Sequence, residues 1–168
     1  MNIIVKKSSK KNVAHLLADN KKIECLVGKN GIGNKRREGD FVTPTGIFKI
    51  TKIFYRYDKI GTIKTRIKSE KILKKHSWNT DSRTTGYNKI SMFPSKYISE
   101  LLFRKDDLYD LVLVLDFNMK PIKKFKGSAI FIHCSGNQKF TEGCVAVKKK
   151  NLIEILGFLS PYSLVRII

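Results

Sequence analysis

Residues 128–147 read SAIFIHCSGNQKFTEGCVAV and hold two short apolar runs on either side of a polar loop. The first run, residues 129–132, has the length and the β-branched character of a strand and leads directly into His133. The second run, residues 145–147, follows directly on Cys144. If the two runs pair as neighbouring strands, the imidazole and the thiol come to lie side by side.

A cysteine next to a histidine is a candidate nucleophile. A free thiol has a pKa of about 8.5 and is therefore mostly protonated at neutral pH, so it needs a neighbouring base to react. Gly143 permits a tight turn that brings backbone N–H groups close to the sulfur, as an oxyanion hole requires. The pattern favours Cys144 as a nucleophile, His133 as its base and Gly143 as part of an oxyanion hole.

Two other interpretations of these residues are open. His133, Cys134 and Cys144 could bind a metal ion, but a structural zinc site needs four ligands and a catalytic site needs three. Because adjacent residues on a strand point to opposite faces, His133 and Cys134 are not expected to share a ligand sphere, and we predict no metal site. Both residues could also be ordinary core residues, although the Gly-Cys turn after a polar loop fits that interpretation less well.

The composition indicates one globular domain over residues 1–168, with 42% hydrophobic residues. The chain has 34 Lys and Arg against 14 Asp and Glu, a net charge of +20. This excess favours either an anionic partner or a lysine-rich solvated surface, and its spread along the whole chain favours the surface. Because no nucleic-acid-binding motif accompanies the charge, we expect no nucleic-acid partner.

Three cysteines imply no complete disulfide framework, and Cys25 is expected to pack as a small hydrophobe.

The first 20 residues contain no uninterrupted apolar stretch of the kind found in secretory signals. No apolar run in the chain approaches the length of a transmembrane helix. We therefore expect a cytoplasmic protein that does not insert into a membrane. A periplasmic location would be expected instead if the N-terminus were incomplete.

The hydrophobic patterns predict a mainly β protein, a β-sandwich or barrel-like fold with two short helices packed at its side. The expected strands cover residues 2–5, 47–55, 111–115 and 163–168, with a hairpin of residues 13–18 and 23–27. The expected helices are residues 95–104 and 150–159.

The loops carry separate signals. Residues 28–40 form a glycine-rich basic loop that lacks P-loop spacing, and residues 43–46 indicate a tight turn. The polar stretch 78–88 either lines a ligand cleft or is a surface loop whose Trp78 packs at the edge of the hydrophobic core.

Residues 127–147 resemble the catalytic signature of the YkuD-type L,D-transpeptidases, which is a strand ending in His, a loop and a Ser/Thr-x-Gly-Cys segment. Residues 37–48 resemble the Gly-Asp…Thr-Pro-x-Gly-x-Phe segment of the same family. The segments 78–88 and 107–111 are similar to those of a compact subgroup that ends in Gly-Cys-Val-Ala and resembles cytoplasmic L,D-carboxypeptidases.

The resemblance implies a β-rich fold, no cofactor, and peptidoglycan stem peptides or soluble muropeptides as substrates. Such enzymes cleave the bond between an L-centre and a terminal D-residue and become acylated on cysteine. Water as the acceptor gives L,D-carboxypeptidase activity, and an amine gives transpeptidation or D-amino-acid exchange. Carbapenem-type inhibitors are expected to react with the same cysteine.

The resemblance also assigns roles to single residues. It implies Cys144 as the nucleophile, His133 as the base, and the backbone carbonyl of Cys134 as the group that fixes the imidazole tautomer. Backbone N–H groups around Gly143 would form the oxyanion hole. The candidate substrate-binding residues are Arg36, Arg37, Trp78, Arg83, Tyr87 and Asn88, with Lys29 as a further cation.

The chain departs from the family pattern at two positions. Many members have an arginine two residues after the cysteine, where this chain has Ala146, and a histidine two residues before it, where this chain has Glu142. A carboxylate near the nucleophile would oppose thiolate formation if it pointed inward. These departures motivate an alternative, a catalytically weak or inactive muropeptide-binding module with the same fold.

Overall fold

The computed structural model describes residues 1–168 and contains fourteen strands and two helices. They are, in chain order, β1 (Ile3–Lys7), β2 (Val13–Ala18), β3 (Lys21–Leu26), β4 (Ile32–Gly33), β5 (Thr43–Pro44), β6 (Gly46–Tyr55), α1 (Tyr57–Ile60), β7 (Ser69–Lys71), β8 (His76–Asn79), β9 (Lys89–Met92), β10 (Ser99–Leu101), β11 (Leu111–Leu115), β12 (Phe131–Cys134), β13 (Val145–Val147), α2 (Lys149–Leu156) and β14 (Leu164–Ile167). No helix of the structure combines the length and the apolar character needed to span a bilayer.

The largest sheet closes on itself. Its strands follow the order β11-β12-β13-β3-β2-β1-β14-β6-β7, and β6 also pairs with β11. This second pairing joins the two ends of an eight-strand ring and leaves β7 attached to the outside of β6. Strands β8, β9 and β10 form a separate antiparallel sheet. The mainly β, barrel-like architecture predicted from the sequence is confirmed.

The alternation of side chains along β11 divides the apolar residues between two cores. Leu111, Leu113 and Leu115 belong to the large core inside the closed sheet. Val112 and Val114 point to the other face and belong to a smaller outer cluster. The inner core also takes up the buried side of α2, where Leu152, Ile155 and Leu156 are almost fully enclosed. Every residue of β11 is therefore buried, which explains its uninterrupted apolar sequence.

The outer cluster lies beneath the small sheet and sets the position of the site. Its nine buried members are Phe54, Ile72, Trp78, Leu102, Tyr109, Val112, Val114, Ala129 and Phe131. Trp78 packs edge-on against Phe131 with ring centroids 5.2 Å apart. On β12, Ile132 and Cys134 belong to the inner core, so Phe131 and His133 lie on the outer face by alternation.

Most strand predictions are confirmed, including the hairpin of β2 and β3 and the buried strand β11. The helix predicted over residues 95–104 is wrong, because Ser99–Leu101 pairs antiparallel with β8 and only Leu102 of the predicted apolar face is buried. The first helix is instead the single turn Tyr57–Ile60. Helix α2 ends at Leu156, before the predicted residue 159, although Leu159 still packs in the inner core.

Candidate active site

A cleft of about 740 Å³ lies on the outer face of the closed sheet, and Cys144 and His133 both line it. Its walls come from the loops that precede β6, follow β8, flank β10 and lead into β12 and β13. The charged and polar side chains that line the cleft include Lys35, Glu38, Asp81, Arg83, Glu100, Arg104, Ser128, Gln138, Thr141 and Glu142. The structure therefore brings the two chemically central residues predicted from the sequence into one solvent-accessible depression.

Parallel pairing of β12 and β13 brings the histidine and the cysteine together. His133 is opposite Ala146, and Cys144 directly precedes the first residue of β13. The thiol Sγ donates to the Ala129 carbonyl at 3.1 Å and accepts from the Phe131 N–H at 3.3 Å. The backbone that leads into β12 therefore fixes the sulfur at the floor of the cleft.

The imidazole of His133 is held in one tautomer. Its Nδ1 lies 2.8 Å from the Cys134 carbonyl oxygen. A carbonyl can only accept, so Nδ1 carries the proton and Nε2 keeps a free lone pair. Burial lowers the pKa of His133 to about 4, so the ring is neutral at physiological pH. This is the arrangement that the sequence prediction for the Cys134 carbonyl requires.

The thiol of Cys144 is protonated in the resting site. Burial, and then the charge of the Glu100 carboxylate, raises its pKa to about 12, while the Phe131 N–H and the Lys35 ammonium act in the opposite direction. No hydrogen bond joins Cys144 to His133 in this structure. The pair is therefore neutral at rest, and a thiolate would form only as a proton moves to the imidazole during reaction.

Two threonine hydroxyls fix the turn that presents the cysteine. Thr141 Oγ1 donates to the Cys144 carbonyl at 2.7 Å, and Thr43 Oγ1 donates to the same oxygen at 3.3 Å. Sequence reasoning did not assign these roles to Thr43 and Thr141. The signal was present, since the two residues open the Thr-Pro-x-Gly and Thr-x-Gly-Cys segments on which the family resemblance rests.

Gly143 has the backbone conformation that the predicted tight turn requires. Its φ of 146° is rarely adopted by other residues, and an added Cβ would lie 3.0 Å from the Val42 carbonyl oxygen. Its own N–H donates to Thr141 Oγ1 at 3.2 Å and so is occupied. The N–H groups of Glu142 and Cys144 donate no hydrogen bond within the chain, which makes them the available oxyanion donors.

A buried ion pair, not foreseen from the sequence, lies next to this turn. Lys35 Nζ is 2.6 Å from Asp40 Oδ1, and the lysine side chain is only 2% exposed. The Asp40 carboxylate also accepts the backbone N–H groups of Arg36 and Arg37. An added Cβ on Gly143 would lie 3.5 Å from Lys35 Nζ, so the ammonium lies close to the turn that carries the nucleophile.

Of the six predicted substrate-binding residues, only Arg83 lines the cleft. It forms a bidentate pair with Asp81, with nitrogen–oxygen distances of 2.8 and 2.9 Å. Arg36 and Arg37 are exposed but lie outside the cleft lining. Their backbone N–H groups stabilise the loop through Asp40.

Trp78, Tyr87 and Asn88 are buried behind the cleft wall and do not line it. Asn88 Oδ1 accepts from Trp78 Nε1 and from the Ala129 N–H, each at 3.1 Å. The Tyr87 hydroxyl accepts from the Gly127 N–H at 3.0 Å and donates to Glu38. The aromatic loop is therefore a support for the segment that contacts the Cys144 sulfur.

The two departures from the family pattern have clear positions. Ala146 is 1% exposed and is paired to His133 on one side and Leu26 on the other, so a long charged side chain has no room there. Glu142 is exposed at the rim of the cleft and forms no ion pair.

The Cys134 side chain belongs to the inner core, away from the cleft. The structure contains no group of three or more side chains that could hold a metal ion.

The fold and the site define a closed β-sheet protein with a cysteine and a histidine in a cleft on its outer face. The chain matches the family model YkuD, the L,D-transpeptidase catalytic domain, over residues 2–167, and it belongs to this family.

The solved structures that are similar to this chain include two L,D-transpeptidases, both longer than this chain. The first is an L,D-transpeptidase from Mycobacterium smegmatis, with 10% sequence identity, a TM-score of 0.43, and coverage of 99% of this chain and 58% of that one. The second is Mycobacterium tuberculosis L,D-transpeptidase 1, with 12% identity, a TM-score of 0.39, and coverage of 99% and 61%. The chain thus spans about three fifths of either protein. No curated protein sequence matches it.

Proposed function

We propose that this protein is a cysteine acyl-transferase that acts on peptidoglycan stem peptides. It cleaves the bond between an L-centre and a terminal D-residue, and water resolves the acyl-enzyme, which makes the reaction an L,D-carboxypeptidase reaction on soluble muropeptides. Membership of the L,D-transpeptidase family supports the reaction class. The expected cytoplasmic location stays a prediction.

The positions of His133 and Cys144 in one cleft support the following acylation step. His133 Nε2 takes the proton of Cys144 as the sulfur attacks the carbonyl carbon of the scissile bond. The N–H groups of Cys144 and Glu142 donate to the oxyanion that develops on the carbonyl oxygen. When the C–N bond breaks, protonated His133 passes its proton to the leaving amine, and the acyl group remains on Sγ as a thioester.

Deacylation uses the same imidazole in the opposite direction. Neutral His133 removes a proton from water as the oxygen attacks the thioester carbon. The C–S bond then breaks, and the proton returns to the sulfur. A carbapenem would acylate Cys144 by the same attack, which explains the inhibitor class expected from the family resemblance.

The observation that carries this proposal is the fixed imidazole tautomer beside a threonine-anchored cysteine in one cleft. The test is release of D-Ala from a stem tetrapeptide, followed by mass spectrometry. We expect the Cys144→Ala variant to release D-Ala at least about 1000-fold more slowly than the parent. Cys25→Ala, which removes a thiol inside the closed sheet, is the matched control. Equal release by the parent and Cys144→Ala would refute the assignment.

A binding module without catalysis is the second candidate. The raised thiol pKa and the missing His133–Cys144 hydrogen bond favour it. Alkylation of Cys144 by iodoacetamide, measured in the parent and in His133→Ala, separates the two functions. An active site predicts that loss of the imidazole slows alkylation, whereas the binding module predicts equal, slow rates together with intact affinity for the tetrapeptide.

A further inference from the structure

The segment that leads into β11 packs against the end of β12, where His133 lies. Its backbone joins that strand directly, because the Leu108 carbonyl accepts the Cys134 N–H at 3.0 Å. Its Tyr109 side chain is only 5% exposed and lines the cleft. The Tyr109 hydroxyl forms no hydrogen bond with His133 or with Cys144. Tyr109 can therefore act on these two residues only through the groups that it packs against.

The Tyr109 ring contacts both sides of the histidine–cysteine pair. It packs edge-on against the His133 ring, with centroids 5.1 Å apart and an angle of 77° between the planes. It also packs edge-on against Phe131, with centroids 6.0 Å apart. The Phe131 N–H in turn donates to the Cys144 sulfur at 3.3 Å. Because aromatic pairs favour the edge-on geometry, one tyrosine ring fixes the imidazole plane and supports the residue that contacts the sulfur.

The imidazole of His133 has only one hydrogen bond of its own. Its Nδ1 is bound to the Cys134 carbonyl, and its Nε2 has no hydrogen-bond partner. This single bond fixes the tautomer but leaves the tilt of the ring to its packing. The tilt sets the direction of Nε2, and a displacement of about 1 Å at a reacting group can lower a rate about 100-fold. The residue that packs against the imidazole therefore controls where Nε2 is directed.

Glu100 holds the far end of the tyrosine ring. The Tyr109 hydroxyl donates to Glu100 Oε1 at 2.5 Å. Burial, and then the Glu100 charge, raises the pKa of Tyr109 well above its ordinary value of 10, so the hydroxyl keeps its proton and remains a donor. Glu100 lies on β10 directly opposite Trp78 of β8. The hydrogen bond therefore attaches the ring to the small sheet.

Arg104 holds one face of the same ring. Its guanidinium carbon lies 5.2 Å from the centroid of the Tyr109 ring, within the range of a cation–π contact. Asp106 binds the guanidinium through two hydrogen bonds, Nε to Oδ1 at 3.0 Å and Nη2 to Oδ2 at 2.5 Å. Arg104 Nη1 also lies 3.8 Å from Glu100 Oε1. The tyrosine ring is therefore confined at its hydroxyl end, on one face and at its contact with His133.

We propose that Tyr109 is a positioning residue that fixes the tilt of the His133 imidazole in the cleft. Glu100 and Arg104 hold Tyr109 for this role. The inference rests on the proposed acyl-transfer function, because the tilt matters for rate only if His133 takes a proton from Cys144. Tyr109 itself exchanges no proton with the substrate and acts through the ring that it packs against.

Steady-state release of D-Ala from the stem tetrapeptide tests this role. Tyr109→Leu removes the ring and keeps apolar bulk, and we expect kcat to fall about 10-fold with KM within about 2-fold of the parent. Tyr109→Phe keeps the ring and is expected to lower kcat only about 3-fold. An unchanged kcat in Tyr109→Leu would overturn the proposal. A raised KM at the parental kcat would also overturn it, since that result describes a residue that binds substrate.

A double-mutant cycle tests whether Glu100 acts through the tyrosine. Tyr109→Phe, Glu100→Ala and the double variant are compared by kcat for the same reaction. If Glu100 acts by holding the hydroxyl, the double variant should match Glu100→Ala, because that hydrogen bond is already lost. A double variant about 3-fold slower than Glu100→Ala would overturn the hold on Tyr109. All three variants keep the aromatic ring, so the comparison remains decisive if Tyr109→Leu does not fold.

The tautomer of His133 provides a readout that needs no substrate. Imidazole nitrogen NMR of the full chain, assigned with His133→Asn, distinguishes a proton on Nδ1 from one on Nε2. We expect the parent to show the Nδ1–H form alone and Tyr109→Leu to show both forms, because a ring that changes its tilt loses the hydrogen bond to the Cys134 carbonyl. Tyr87→Phe removes another buried hydroxyl that donates to a glutamate, and Tyr87 does not line the cleft. It is the matched control and should keep the parental spectrum.

A purely structural role predicts lower stability of Tyr109→Leu with the Nδ1–H form alone in the folded protein, and that result would overturn the proposal. Failure of the proposed function has a different signature. The parent would then release no D-Ala, while the NMR comparison would still show whether Tyr109 orients the imidazole.

Discussion

At the scale of single residues, the position of Cys144 is fixed by neighbouring groups that take no part in the proposed reaction. The Cys144 carbonyl accepts from Thr141 and Thr43, and its sulfur contacts the Ala129 and Phe131 backbone. Three segments, of which the one with Thr43 is 101 residues away in sequence, therefore converge on one residue. The reactive side chains could be predicted from spacing and family signature, but these hydrogen bonds depend on long-range contacts that spacing does not specify.

Replacing Thr141 by valine keeps the shape of the side chain and removes its hydroxyl. The Cys144 carbonyl loses its shortest partner and the Gly143 N–H loses its acceptor. We expect about 1–3 kcal/mol lower free energy of unfolding in a urea titration and a roughly 10-fold slower release of D-Ala. Thr141→Ser retains the hydroxyl and should restore most of both losses. Equal behaviour of the valine and serine variants would contradict this role.

At the scale of elements, the loop after β8 and the segment that leads into β12 act as one unit. Asn88, with a φ of 57°, joins Trp78 to the Ala129 N–H and donates to the Phe117 and Asn118 carbonyls. The sequence singled out this loop because it combines aromatic and polar residues. Whether such residues face a ligand or support a wall depends on burial, which the loop sequence alone does not specify.

Replacing Asn88 by alanine removes four hydrogen bonds from a residue that is 2% exposed. We expect the free energy of unfolding to fall by about 2–4 kcal/mol, since several buried groups lose their partners. D-Ala release should slow although Asn88 does not line the cleft, because Ala129 positions the sulfur. Lys89→Ala, at the exposed neighbouring position, is the control and should change neither measurement. Normal stability of Asn88→Ala would show that the loop is not a support.

The burial and pairing of the elements explain which of them could be predicted from the sequence. Strand β11 is buried on both faces and therefore has a continuous apolar sequence, and the β2–β3 hairpin alternates between faces. Residues 95–104 also carry apolar side chains near helical spacing, yet pairing with β8 makes Ser99–Leu101 a strand. Closure of the sheet through β6 and β11 is a contact between distant segments, so local periodicity contains no signal for it.

At the scale of the whole molecule, the buried imidazole links stability to pH. The folded-state pKa of His133 is about 4, below the ordinary value of 6.5, because burial disfavours the charged ring. The unfolded chain therefore binds a proton first as pH falls, and stability declines from about pH 6.5 down to about pH 4. The lowered pKa of His76, which burial also causes, acts in the same direction.

We expect the parent to lose about 3 kcal/mol more unfolding free energy than His133→Asn between pH 7 and pH 4. The variant lacks the titrating group, so its stability should depend less on pH. Urea titrations at several pH values measure the difference. Identical pH dependence of the two proteins would show that folding does not lower the pKa of His133.

The closed sheet, the loop after β8 and the cleft together hold Cys144 where, as we propose, a stem peptide acylates it. The most direct measurement is the intact mass of the protein after brief incubation with the tetrapeptide and acid quenching, followed by peptide mapping. We expect a mass increase equal to the tripeptide acyl group, located on Cys144 and absent from the Cys144→Ala variant. Release of D-Ala at the parental rate by Cys144→Ala, or an acyl group on another residue, would contradict it.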